Sequence, residues 1–149
     1  MAKRNLVITG VVGAILAATA CGTDPVGADP AIAPFVGFWD GVVFTVTADA
    51  PPSTAADLLT LGDFWISVEP SGQYTATLEW LGGFAEIGQR SVQSSSSMTL
   101  DPTNGPAAPS TYVFATADSL ILDGATEFDF NLDGTDEPGQ AHIELVRRP

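Results

Sequence analysis

The chain has 149 residues, with 18 acidic against 5 basic side chains and a net charge of −13 at pH 7. That balance excludes nucleic acid and bare anionic membrane as partners, because both repel a strongly acidic surface. It does not signify disorder: three tryptophans, eight phenylalanines and recurrent β-branched runs supply apolar surface enough for one folded domain.

The chain opens with two cations, Lys3 and Arg4, followed by the apolar run LVITGVVGAILAATA from Leu6 to Ala20 and then Cys21, the single cysteine. A basic start, a short apolar stretch and small residues before a cut site predict a secretory signal. The run is shorter than the roughly twenty residues of a membrane-spanning helix. Ala18-Thr19-Ala20-Cys21 resembles the lipobox of bacterial lipoproteins, with alanine where leucine is commonest. The resemblance implies cleavage before Cys21 and transfer of a diacylglyceryl group to its thiol. A lone cysteine in an exported chain has no internal disulfide partner, which agrees with lipidation. By the same resemblance, Gly22 in place of aspartate favours the outer membrane. Ala-x-Ala also suits ordinary signal peptidase, which would leave an unlipidated secreted protein. Cleavage leaves Arg90, Arg147 and Arg148 against all eighteen acids, a net charge of −15. The predicted organisation is a signal peptide over 1–20, a Pro/Gly/Ala/Asp-rich tether over 21–34 and one domain over 35–149.

Within the domain, period-two alternation predicts strands. Phe38–Thr47 is β-branched and aromatic, with Val42, Phe44 and Val46 on one parity. Ser53–Leu61, after Pro51-Pro52 and before Gly62, predicts a short helix or turn. Phe64–Glu69 and Tyr74–Trp80 alternate cleanly, and Pro70-Ser71-Gly72 between them predicts a hairpin whose glycine is left-handed. Ala85–Gln93 and Ser94–Leu100 are weaker, with an exposed edge or bend at the serine run 94–97. Further strands are expected over Thr111–Thr116, Ser119–Leu122, Thr126–Phe130 and Ala141–Val146. About eight short strands predict an all-β domain, a small antiparallel barrel, with a β-sandwich as the alternative.

Gly37-Phe38-Trp39 at the first strand and Arg147-Arg148 after the last resemble the two ends of lipocalin-like (calycin) barrels. The resemblance covers Phe35–Pro149. It implies a barrel closed at one end by an arginine, Arg147 or Arg148, stacked over Trp39. A guanidinium over an indole adds roughly 0.5–2 kcal/mol. The expected insert after the first strand fits the same topology.

Two groups of residues are candidates for binding. Asp129, Asn131, Asp133, Thr135 and Glu137 resemble the opening of a calcium loop, in which oxygens at alternate positions converge on a hard cation and Gly134 permits the turn. Gln140 stands where a bidentate glutamate belongs, so the expected affinity is weak. The competing reading is a plain Asp-Gly β-turn. Phe64, Tyr74, Trp80, Tyr112, Phe114 and Phe128 fall on inward parities, where they either fill the core or line a pocket for a small apolar ligand. His142 is the only histidine, so a multi-histidine zinc site is excluded, and no Gly-x-Ser-x-Gly elbow is present. No catalytic residue and no organic cofactor are expected.

The expectation is a lipid-anchored, non-catalytic envelope protein whose barrel takes a small apolar ligand. The alternative is an envelope interaction module with a filled core, holding a partner protein through its acidic surface.

Overall fold

The computed structural model describes residues 29–79 and 84–149. The signal, Cys21 and most of the tether lie outside these residues, as does Trp80.

Nine antiparallel strands form one sheet: β1 (Gly37–Ala48), β2 (Ala55–Asp57), β3 (Asp63–Val68), β4 (Gln73–Glu79), β5 (Phe84–Val92), β6 (Ser97–Pro102), β7 (Ala108–Thr116), β8 (Ser119–Phe128) and β9 (Glu137–Arg147). From β3 to β9 each strand pairs with the next. β1 pairs with β3 along one edge and with β9 along the other, which closes an eight-stranded barrel. β2 is an extra strand on the upper half of β1, opposite Thr45–Thr47. Eight strands enclose just enough room for side chains or one small ligand. Closure leaves the short β2 as the one strand with an unpaired edge among the described residues.

The alternation that predicts β3 and β4 is realised as burial. Phe64, Ile66, Val68, Tyr74, Ala76 and Leu78 are buried, while the odd-numbered residues of both strands are half-buried or exposed. Each large apolar side chain so placed contributes roughly 1.5–3 kcal/mol. The hairpin between these strands has Gly72 at φ +85°, the left-handed geometry its loop requires. The serine run forms the β5–β6 bend, where Ser94 Oγ accepts from the Ser97 N–H at 3.1 Å.

Two local readings change, and one is narrowed. In β1 a bulge between Gly41 and Val43 shifts the register against β9. Trp39 therefore points inward from an odd position, Phe44 and Val46 from even ones, and Val42 turns out to water at 50% exposure. Ser53–Leu61, expected as a short helix or turn, holds a turn and no α-helix. Ala55–Asp57 pairs with the free edge of β1, and Leu58–Thr60 makes one 3-10 turn capped by Asp57, whose Oδ1 accepts from Leu59 N–H at 3.0 Å. Nine residues are too few for a stable α-helix, and three of them pair with β1 instead. Ser119–Leu122 and Thr126–Phe128 belong to one strand, β8, running through Gly124, and Asp129 and Phe130 lie beyond its end. A Cβ at Gly124 would lie 2.7 Å from Ser110 Oγ on β7, so this glycine permits close strand packing rather than a turn.

Among the described residues, no helix is long and apolar enough to cross a membrane.

Candidate functional site

The chain topology gives the barrel two different ends. At one end lie the first residues of β1, the β3–β4, β5–β6 and β7–β8 turns and the end of β9. This end is plugged. A 3-10 turn, Ala33–Phe35, folds under the barrel and inserts Phe35, which is 1% exposed. Phe35 packs against Tyr112 and Phe114, with ring centroids 5.0 and 4.9 Å apart. Trp39, also 1% exposed, donates its indole N–H to the Phe35 carbonyl at 2.7 Å.

The two terminal arginines separate in role. Arg147 is the register partner of Trp39, and its guanidinium carbon lies 4.1 Å over the indole. Its Nη1 donates to the Val36 carbonyl at 2.6 Å, Nη2 to the Pro34 carbonyl at 2.8 Å, and Nε to Asp118 at 3.2 Å. Gly37 makes room for this: its φ is +127°, and a Cβ there would meet Arg147 Nη1 at 3.0 Å. Arg148 points to the outer face, over Phe38 at 5.1 Å, and pairs with Asp40. That hydrogen bond, foremost, holds the Asp40 carboxyl below its usual range.

Above the plug is a cavity of about 210 Å³. Its walls are mainly apolar: Trp39, Phe44, Phe64, Ile66, Leu120, Leu122, Ile143 and Leu145 all contribute. Of the candidate ligand-binding aromatics, Phe64 and Tyr74 line this cavity. Tyr112 and Phe114 instead pack at the plug, and Tyr112 donates its hydroxyl to the Ser94 carbonyl at 2.9 Å. Phe128 is half-buried near the other end and meets Phe130 edge-on at 5.1 Å.

Three polar side chains of β4 and β5 break the apolar lining. Tyr74 donates to Glu86 Oε1 at 2.5 Å. Burial, and then this bond, push the phenol well above its usual range. Glu86 also borders a depression at the open end, which Asp49, Glu127 and Asp136 line as well. The third is Arg90, on the inward parity of β5 and 7% exposed. Its guanidinium carbon lies 3.8 Å over the Phe35 ring, yet its buried Nε and Nη2 donate to nothing. Burial pulls its pKa down to about 10, so it stays a cation at neutral pH. Sequence reasoning passed over Arg90 because the inward positions of β5 are Glu86, Gly88 and Arg90, which hide the alternation. The available signal was scarcity: it is the single basic residue between the signal and the C-terminal pair.

At the open end, the β8–β9 connection carries the acidic loop. Carboxylate oxygens of Asp129, Asp133 and Glu137 lie within 4.8 Å of one another. Asp129 accepts from the N–H groups of Asp133 and Gly134 at 3.1 and 2.8 Å, and Asn131 Oδ1 accepts from Asp133 N–H at 2.9 Å. Glu137 reaches back to accept from Phe130 N–H at 2.9 Å and the Asn131 amide at 2.6 Å. Thr135 contributes its N–H to Asp133 at 2.9 Å. Gln140 faces away and donates to Asp49 at 3.2 Å. The loop is thus closed by Glu137. Three converging carboxylates suit a hard, oxygen-preferring cation, and all three also hold the loop by accepting backbone N–H groups.

His142 stands on the outer face, bonded to Asp123 at 2.6 Å and Glu144 at 3.3 Å. The Asp123 bond is the main reason that its pKa is raised above 6.5. No nucleophile is bonded to the ring among the described residues.

No protein-family model matches the chain, and a search of curated proteins finds no match either.

Proposed function

We propose that the protein is a non-catalytic carrier of the bacterial cell envelope, lipid-anchored through Cys21, whose lipocalin-like barrel takes a small, mainly apolar ligand. The observation that carries this reading is the apolar cavity of about 210 Å³ above a well-packed plug. A core built for stability alone closes such space, because each void forfeits dispersion contacts. The volume is below the roughly 300–1,000 Å³ of drug-sized sites, so the ligand is compact. The stacked Trp39–Arg147 pair under the barrel supports the lipocalin-like reading, and the lipobox resemblance supports the anchor. Gly22 after Cys21, where aspartate would favour inner-membrane retention by the same resemblance, supports the outer membrane. A weak calcium ion held by Asp129, Asn131, Asp133, Thr135 and Glu137 is a second, independent reading, favoured by the convergence of three carboxylates at the open end.

Native mass spectrometry of the C21S chain, exported to a bacterial periplasm, tests the carrier reading. A co-purifying small molecule supports it and begins to identify the ligand. A bare mass, together with failure to take up apolar probes, rejects it and leaves the envelope interaction module. Palmitate labelling and membrane fractionation of the native chain, with C21S as control, test the anchor.

A further inference from the structure

We infer that the ligand of the barrel is an anionic amphiphile, with its carboxylate bound to Arg90 at the cavity floor and its apolar body extending toward the open end. The inference rests on the carrier reading and specifies its ligand class.

The reasoning starts from cost. An ionised side chain buried without a partner is among the most unfavourable features a fold can hold. Arg90 is 93% buried, as its 7% exposure shows, and its Nε and Nη2 are both without an acceptor. No ion pair involves it among the described residues, though the chain has eighteen acids to offer. The Phe35 ring, 3.8 Å from its guanidinium carbon, supplies part of the compensation. It cannot satisfy N–H groups in the plane of the fork. A methionine or leucine at this position would fill the space without the penalty.

The fork geometry specifies the missing group. Adjacent unpaired N–H donors of a guanidinium match the two oxygens of a carboxylate, and such bidentate bonds strengthen in an apolar site. Arg90 lines the same cavity as Phe64, Ile66, Leu120 and Leu122, so a head group there continues into an apolar space. Charge sets the direction. Glu86 and the nearby Asp49, Glu127 and Asp136 border the open end, while Arg90, the one buried cation among the described residues, sits near the plug. Once past the acidic mouth, an anion is attracted to the cation at the floor. The acidic mouth slows entry, so uptake accelerates as salt screens it.

The test compares probes of equal length that differ in charge. Octanoate and 1-octanol, and the shorter pair hexanoate and 1-hexanol, are titrated by calorimetry into the full chain carrying C21S at neutral pH. The same titrations are made with R90M added. The expected result is at least tenfold tighter binding of the carboxylate than of the alcohol, with the preference erased in R90M. Equal binding of acid and alcohol, or a preference for the alcohol, overturns the Arg90 assignment and leaves the carrier reading standing. A preference for the acid that survives R90M also overturns it. If neither member of either pair binds, the carrier reading fails and this inference with it. The acid–alcohol comparison in the chain with Arg90 intact decides the matter even if R90M does not fold.

Discussion

Replacing Arg147 by alanine removes one side chain that joins three parts of the barrel: β9, the tether turn and the β7–β8 turn. The stack over Trp39 at 4.1 Å contributes roughly 0.5–2 kcal/mol. The two donations to Val36 and Pro34 carbonyls are charged hydrogen bonds, about 1.5–3 kcal/mol each when fully buried. Arg147 keeps 27% of its side chain exposed, so water replaces part of that loss. Asp118 is 75% exposed, and its pair adds roughly 0–1 kcal/mol. The expected destabilisation is about 3 kcal/mol, or about 12 °C at roughly 4 °C per kcal/mol for a domain of this size. Thermal melts followed by circular dichroism measure it, with R148A as the internal control. Arg148 lies outside the barrel on Phe38 and Asp40, so R148A leaves the melting temperature nearly unchanged. A double-mutant cycle with W39F isolates the stacking part. Equal effects of R147A and R148A, or a drop below about 4 °C for R147A, would refute the idea that the Trp39–Arg147 contact holds the plugged end.

Three further outcomes are expected. G88A is severely destabilising, by about 3 kcal/mol, since its Cβ would lie 2.4 Å from the Asp101 carbonyl oxygen and 2.7 Å from Pro102 Cα, both backbone atoms; urea denaturation reads this, and a near-native midpoint contradicts it. His142 has its pKa raised in the folded state, so its contribution is fully present below the unfolded value of about 6.5 and is lost as pH rises through the folded value. H142Q therefore lowers the urea midpoint at pH 6 more than at pH 9, and equal effects at both would dismiss the Asp123 and Glu144 bonds as stabilising. Calcium at ten times a millimolar Kd stabilises by about 1.4 kcal/mol, so 10 mM calcium raises the melting temperature of the native loop but not of D133N/E137Q; an equal response of both proteins removes the site.

How far the sequence could be read depended on what each strand puts inside. β3 and β4 place only apolar or aromatic residues inward, so their alternation was plain. β5 puts Glu86, Gly88 and Arg90 there, and its pattern vanished. Asp123-Gly124 looked like a break, yet the glycine serves the close approach of β8 to Ser110. Parity also says which face a residue occupies but not its height along the barrel. Phe64, Tyr74, Tyr112 and Phe114 share the inward face, and the first two line the cavity while the others meet Phe35 in the plug. Height depends on the stagger between strands and on the β1 bulge, neither of which a single line of sequence displays.

The three arginines of the domain make the strongest comparison within the molecule. All lie toward the plugged end, and the same chain supplied each with neighbours. Arg147 uses all three of its guanidinium nitrogens, on three backbone carbonyls and a carboxylate, with the indole below. Arg148 has Asp40 and the Phe38 ring. Arg90, the most buried of the three, has a ring and no acceptor at Nε or Nη2. An acidic protein able to satisfy its exposed cations so fully had carboxylates to spare for the buried one. Placing one on β4 or β6 beside Arg90 would neutralise the floor. The floor instead keeps its charge and the barrel keeps its space. Both features oppose stability, both sit at the same level of the barrel, and one ligand with an anionic head and an apolar body relieves the two at once.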